Sequence, residues 1–258
     1  EWIKTRTGMS ERRVISSEKL EDLAAEASLQ AIADAGLKPT DIDYIICSNV
    51  VNEYITPGLG CIVQGAIGAK CACVDINAAC SGFIYALDMA DDRLKSGKAK
   101  NILVVAAEEP TRMVDWNDRS LCVLFGDGAG AVVVTEGEGM ICSRLTTASK
   151  IDCLHYLRTL EPTPYITKEE YSAPMYMNGK EVFKTAVLSS SRDIKVMLDE
   201  ACLKPSDIKY YVLHQANMRI IEAVANYLKL DMSHFPHNVD RCGNTSSASI
   251  PLLLDELA

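Results

Sequence analysis

The feature that most constrains this 258-residue chain is that part of it occurs twice. Leu37-Lys38-Pro39-Thr40-Asp41-Ile42-Asp43-Tyr44 returns as Leu203-Lys204-Pro205-Ser206-Asp207-Ile208-Lys209-Tyr210, an offset of 166 residues (203 − 37). Each copy follows a helical pattern and precedes a β-rich run, so two copies of one α/β unit are implied. Carried on with one residue of slippage, the register lays 81–88 over 248–255. The helix behind Cys80 then has a counterpart behind 244–247, and the two helix starts should converge across a pseudo-two-fold axis.

The elements can be placed from periodicity and punctuation. Ser17 reads as the N-cap of a helix running to about Ala35, with Leu20, Leu23, Ala27 and Ala31 on one face and Gly36 as its stop. Residues 43–51 read as a buried strand, Pro57-Gly58 as a turn and 61–67 as a short helix ending at Gly68. A strand at 74–77, a helix at 81–95 and a nearly continuous apolar strand at 101–107 follow. Residues 121–134 read as two strands joined by a glycine turn. Helices alternating with short buried strands make an α/β chain. Residues 144–180, with Pro162, Pro164 and Pro174 and little periodicity, form an excursion that covers a site or an interface, or is a plain surface loop. The expected division is 1–143, the excursion 144–180, and 181–258.

Composition narrows the function. A net charge of −9 argues against a nucleic-acid surface. Ten cysteines, spread through apolar segments without C-x-x-C, favour reduced thiols and a cytoplasmic setting. No apolar run approaches a membrane span. The start, Glu1-Trp2-Ile3-Lys4, has neither an initiator methionine nor an apolar signal core, and the end at Ala258 falls inside a helical pattern, so both ends read as cut.

Cys80, in V-D-I-N-A-A-C-S-G-F at 74–83, sits where an apolar approach gives way to a small-residue helical run. A helix N-terminus there would point N–H groups at the sulfur and lower its pKa, making the thiolate a nucleophile. The plain alternative is a buried small hydrophobe. His214, in V-L-H-Q-A-N-M-R-I, and Asn244, in C-G-N-T-S-S-A-S-I-P, also stand just after apolar runs, where side chains project from strand ends. A Cys–His–Asn set has two chemical meanings: a papain-like hydrolase, or a decarboxylating condensing enzyme whose His and Asn donate hydrogen bonds to a thioester oxygen. The spacing of 134 residues (214 − 80) suits either, being close to the roughly 130–150 of papain-like enzymes. The protease signature C-G-[SA]-C-[WY] is absent, and the internal duplication is foreign to that fold.

Taken together, N-A-A-C-S-G-F, H-Q-A-N-M-R-I and G-N-T-S-S-A-S-I-P closely resemble the three active-site motifs of the β-ketoacyl-acyl-carrier-protein synthase III family, condensing enzymes of thiolase fold. The resemblance extends through W-I-K-T-R-T-G at 2–8, F-G-D-G-A-G-A at 125–131 and N-G-K-E-V-F-K at 178–184. It implies a thiolase-like α/β fold whose halves stack as α-β-α-β-α layers. It implies an acyltransferase that starts type II fatty acid synthesis, with Cys80 taking an acyl group from acyl-coenzyme A and His214 and Asn244 serving decarboxylation of malonyl-acyl carrier protein. A related enzyme of secondary metabolism, making quinolones or polyketide starters, shares the triad, and a non-catalytic binding protein of the same fold is the non-enzyme alternative. Trp2 and Arg119 match positions that sandwich the adenine of coenzyme A, and Arg6 one near its phosphates. Phe183 matches the pocket wall; Lys184 and Arg219 match rim positions that meet the acidic carrier protein. The family is typically a homodimer and uses acyl-coenzyme A as substrate without a further cofactor. A first strand before Trp2 and a C-terminal glycine-rich loop that completes the oxyanion hole are family features this sequence does not include.

Two weaker patterns point elsewhere. G-D-G-A-G at 126–130 departs from G-x-G-x-x-G and reads as a structural turn. His234, His237 and Cys242 fit no standard zinc spacing, so no metal is expected.

Overall fold

The computed structural model describes residues 1–157, 164 and 174–258. Part of the 144–180 excursion, Pro162 included, lies outside the described residues. Strand β1 (Tyr44–Ser48) forms parallel ladders with β2 (Ala72–Ile76) and β3 (Asn101–Glu108), and β3 pairs antiparallel with β4 (Gly128–Thr135). The order in the mixed sheet is β2-β1-β3-β4.

The central strands β1 and β3 are largely apolar on both sides because both faces are covered. On one face, α2 (Leu20–Asp34) and α3 (Leu59–Ile67) bury Ile45, Cys47, Leu103 and Val105. On the other, α4 (Gly82–Lys95) and α8 (Ser249–Asp255) bury Ile46, Ile102, Val104 and Ala106. The alternation of β1 and β3 residues between these two cores follows from the two-residue period of a strand.

The second repeat reproduces the helical elements of the first. Its long helix α5 (Gly179–Glu200) answers α2, the 3₁₀ turn Pro205–Asp207 answers Pro39–Asp41, and α6 (Met218–Leu228) answers α3. Gly36 (φ 70°) and Cys202 (φ 56°) occupy equivalent left-handed positions after the two long helices. The counterpart of β1, residues 210–214, has no ladder partner among the described residues, yet it keeps strand geometry in its packing. Val212 faces the α4/α8 core, whereas Tyr211 and Leu213 face a core with Ile194 of α5 and Ile221 and Val224 of α6. The layers therefore run α2/α3, sheet, α4/α8, the extended run 210–214, and α5/α6.

Three local expectations are corrected. Helix α2 begins at Leu20 with Lys19 at its N-cap, because the Glu18 carboxylate takes the amides of Ser16 and Ser17 and holds them outside the helix. Its innermost residues are Leu20, Ala24, Ser28 and Ile32, with Leu23, Ala27 and Ala31 flanking them. Residues 121–134 contain one strand, β4, rather than two, and 121–124 are turn. Phe125 makes an isolated bridge to Asn244, with Asn244 N–H donating to Leu124 O at 2.9 Å and Gly126 N–H to Asn244 O at 3.0 Å. Gly126 is required there: a Cβ would stand 2.2 Å from the Cys242 carbonyl oxygen. The glycine turn thus laces the end of the first repeat onto the segment that carries Asn244.

The helix α1 (Trp2–Thr7) closes on Gly8 in a left-handed conformation and packs beside α6. Short strands β5 (Leu154–His155) and β6 (Tyr176–Met177) pair within the described part of the excursion. Helix α7 (Val239–Cys242) leads into Gly243 and Asn244.

Candidate active site

The site lies where the two repeats meet, at the starts of α4 and α8. Each helix is preceded by a 3₁₀ turn, Ala79–Ser81 before α4 and Ser246–Ala248 before α8, and the two turns pack together. Ala79 (φ 49°) and Ser246 (φ 52°) hold equivalent left-handed positions. Such a conformation in a non-glycine residue costs about 1–3 kcal/mol and persists where surrounding structure fixes it. Here that structure is the meeting of the turns: Ser246 Oγ lies 3.6 Å from Cys80 Sγ.

Beneath the turns is a buried polar cluster that the sequence did not reveal. Glu108, at the end of β3, is 1% exposed. Its Oε1 accepts from Ser247 Oγ at 2.5 Å and Ser246 Oγ at 3.2 Å, and its Oε2 from Val50 N–H at 3.1 Å. Ser48, ending β1, donates to Ser247 Oγ at 2.9 Å. Burial pushes Glu108 up to about 7, although all its hydrogen bonds favour the carboxylate. The signal in the sequence was an acidic pair, Glu108-Glu109, closing a nearly continuous apolar strand.

The thiol of Cys80 also departs from expectation. A helix start was expected to lower its pKa, but burial and the neighbouring Glu108 charge push it up to about 11, opposed only in part by Ser246. At neutral pH Cys80 therefore rests as a thiol and requires an acceptor for its proton before it can act as a nucleophile.

His214 follows Leu213 at the end of the extended run. Ser249 Oγ, at the first position of α8, lies 2.7 Å from His214 Nδ1 and 3.3 Å from the Gln215 N–H. The hydroxyl accepts from that amide, so its own proton is free to bond Nδ1. When Ser249 donates to Nδ1 in this way, the proton of the neutral ring is on Nε2, facing away from Ser249. Burial pushes the His214 base down to about 4, so the ring is neutral across the physiological range. Among the described residues no hydrogen bond joins it to Cys80.

Asn244 is fixed by its backbone bonds to Leu124 and Gly126, and its Oδ1 accepts the Ser246 N–H at 2.9 Å. With the oxygen turned towards Ser246, the other side of the amide presents its N–H₂ donors. The segment 244–249 thus carries Asn244, contacts Cys80 through Ser246 and fixes His214 through Ser249. The three residues singled out from sequence are linked through one segment, with the thiol on one repeat and the ring and the amide on the other.

The residues matched to coenzyme A and carrier-protein positions also fall in groups. The guanidinium carbons of Arg6 and Arg119 lie 6.0 and 5.8 Å from the centre of the Trp2 ring, which is 51% exposed. Arg219 stands 6.0 Å from the Phe183 ring, one residue before the exposed Lys184 on α5. His234 and His237 bond backbone carbonyls of Ile208 and Phe235 through Nδ1.

Comparison with known proteins accounts for this arrangement. Residues 74–150 match the model of 3-oxoacyl-[acyl-carrier-protein] synthase III, and residues 198–258 match the model of its C-terminal part. The β-ketoacyl-[acyl-carrier-protein] synthase III of Clostridium acetobutylicum is 45% identical over an alignment covering 100% of this chain and 81% of the relative. The crystal structure of the Aquifex aeolicus 3-oxoacyl-[acyl-carrier-protein] synthase III superposes with a TM-score of 0.90 at 42% identity, covering 99% of this chain and 80% of that one. A priming β-ketosynthase of the R1128 polyketide pathway superposes with a TM-score of 0.89 at 35% identity, covering 99% and 78%. On this identity, coverage and superposition, the chain belongs to the β-ketoacyl-[acyl-carrier-protein] synthase III family of thiolase-fold condensing enzymes.

Proposed function

We propose that this protein is the initiating condensing enzyme of type II fatty acid synthesis. Cys80 attacks the carbonyl carbon of an acyl-coenzyme A; the bond to the coenzyme A sulfur breaks and coenzyme A leaves, so one difficult step becomes two easier ones. Malonyl-acyl carrier protein then loses carbon dioxide, and negative charge develops on its thioester oxygen. His214 Nε2–H and the Asn244 amide N–H₂ are the donors for that oxygen. Being fixed beforehand by Ser249 and Ser246, they lose little in reorganising as the charge forms. The resulting carbanion attacks the acyl-Cys80 carbonyl, the bond to Cys80 breaks, and 3-ketoacyl-acyl carrier protein leaves.

The observation that carries this reading is the single segment 244–249, which joins Cys80, His214 and Asn244 through Ser246 and Ser249. A neutral, Nε2-protonated His214 suits a hydrogen-bond donor and is a poor base for a thiol. The grouping of Trp2 with Arg6 and Arg119 supports an adenine site, since an aromatic plane with guanidinium groups suits a base. Lys184 and Arg219 supply a local positive rim on a chain of net charge −9, which supports docking of an acidic carrier protein. We assign residues 1–143 and 181–258 to the two halves and 144–180 to a covering excursion. The open edge of β2 in the sheet supports pairing with a second copy as a homodimer, and no described helix is long and apolar enough to cross a membrane, which supports a cytoplasmic place of action.

Incubation with acetyl-coenzyme A is expected to add one acetyl group, mapped by peptide mass spectrometry to Cys80. Acetylation elsewhere with Cys80 free would overturn the assignment. The likeness to the R1128 priming enzyme favours one second reading, supply of a polyketide starter. Steady-state rates with acetyl-, branched and long-chain acyl-coenzyme A, each with malonyl-acyl carrier protein, separate the two.

A further inference from the structure

The acylation step leaves one proton unaccounted for. Cys80 rests as a thiol, and the usual candidate acceptor is engaged elsewhere: His214 Nδ1 faces Ser249, and burial makes its ring a weak base. The group that does lead away from the sulfur is Ser246, whose Oγ is 3.6 Å from Cys80 Sγ and 3.2 Å from Glu108 Oε1. A hydroxyl has one proton to donate and can accept another, so Ser246 cannot donate to both neighbours at once. Ser246 donating to Cys80 is one arrangement; with its proton turned onto Glu108 Oε1, the hydroxyl oxygen is open to accept the Cys80 S–H.

We propose that Glu108 receives the Cys80 thiol proton through the Ser246 hydroxyl, and so serves as the proton acceptor of the acylation half-reaction. The proposal rests on the reading of Cys80 as the acyl acceptor. The Cys80 S–H bond breaks as an O–H bond forms on Ser246, while the original Ser246 proton moves to Glu108 Oε1. The sulfur's electron pair then forms the bond to the acyl carbon. When the bond to the coenzyme A sulfur breaks, the departing thiolate takes up one proton to give coenzyme A thiol, and Glu108 gives up its own to return to the carboxylate.

The surroundings of Glu108 suit this task. It feels two titratable neighbours, Cys80 on the turn before α4 and Cys47 on β1, and burial raises the pKa of both thiols. From the turn before α8 it meets the hydroxyls of Ser246 and Ser247, from the chain after β1 the Val50 amide, and across β4 the backbone of Gly128. Among the described residues it has no salt-bridge partner. A buried carboxylate without a counter-ion is costly if its only role is to brace two serines. One poised near neutrality is suited to exchanging a proton.

The test is the single-turnover rate of acetyl transfer from acetyl-coenzyme A to Cys80, followed by intact mass from acid to alkaline pH. Carbon dioxide release from malonyl-acyl carrier protein is measured beside it, on the full chain. In the unmodified protein acylation should rise with pH through about 7 and level off. Glu108→Gln and Ser246→Ala should each slow acylation at neutral pH by about 100-fold, move the rise to more alkaline pH, and affect acylation far more than decarboxylation. An unchanged pH profile in either folded variant, or equal loss of both half-reactions, overturns the relay. Should Glu108→Gln not fold, Ser246→Ala decides by the same criteria, because it leaves the carboxylate bonded to Ser247 and Val50. Absence of acyl transfer to Cys80 in the unmodified protein overturns the condensing reading itself, and the relay with it.

Discussion

Ser249 holds His214 Nδ1 at 2.7 Å, and the two residues occupy the places that Gly82 and Ser48 occupy in the first repeat. Ser48 ends β1 as His214 ends the extended run of the second repeat, and Gly82 opens α4 as Ser249 opens α8. One duplicated unit has thus been specialised in opposite directions. The first repeat carries the proposed nucleophile beside a small, tightly packed pair. The second carries a ring and the hydroxyl that sets its tautomer.

That tautomer is open to test through Ser249→Ala. The variant loses one neutral hydrogen bond, about 1 kcal/mol, and with it the preference for Nε2–H. Carbon dioxide release from malonyl-acyl carrier protein should fall about five- to tenfold, with acetyl transfer to Cys80 unchanged. Equal loss of both would mean that Ser249 serves the acylation site instead.

Removing the ring altogether should have a larger effect of the same kind. His214→Ala deletes a donor to a developing oxyanion, worth about 2.7–4 kcal/mol, or roughly 10²–10³-fold in decarboxylation. Self-acylation should survive. Its loss in a folded variant would show that His214 takes the thiol proton.

The tight pair of the first repeat makes a packing prediction. A Cβ at Gly82 would lie 1.9 Å from Ser48 Oγ and 3.0 Å from Ser48 Cβ. Gly82→Ala should therefore destabilise the fold by about 1–3 kcal/mol through overpacking. Adding Ser48→Gly should recover much of that loss, visible as a coupling energy in a denaturation double-mutant cycle. Strict additivity would place the strain elsewhere.

The two buried ionisable groups should shape stability in opposite ways. Glu108 is raised from 4.5 to about 7, so its contribution is fully present below 4.5 and is lost as pH rises through 7. His214 is lowered from 6.5 to about 4, so its contribution is present above 6.5 and is lost as pH falls towards 4. Each amounts to about 3 kcal/mol over its window, and between pH 4.5 and 6.5 the two offset one another. Relative to the parent, Glu108→Gln should become more stable as pH rises through that interval, and His214→Gln less stable. Urea titrations at several pH values would read this directly; parallel curves would show that neither group titrates as its burial requires.

The repeat and most elements were legible in the sequence because periodicity, proline and glycine are local signals. The stop of α2 at Gly36 and the apolar strand over 101–107, which the structure extends to Glu108, follow from them. The rest depended on partners distant along the chain. Residues 121–125 have strand-like composition, but Phe125 bridges to Asn244 and not to a neighbouring strand. Ser17 has an N-cap's chemistry, but Glu18 competes for its amide. Cys80, His214 and Asn244 were recognisable from their motifs. The serines that connect them became visible only when Ser246 was found between Cys80 and Glu108.

The lacing of Gly126 and Leu124 onto Asn244 has a mechanical side. It rivets the strip bearing the proposed donor Asn244 to the half-molecule that bears Cys80, leaving little room for the halves to slide. A shear of a fraction of an ångström at this seam would alter the gap between thiol and donors before any helix unwound. Chemistry in such a centre works as a vernier, reading how squarely the two repeats are seated on each other.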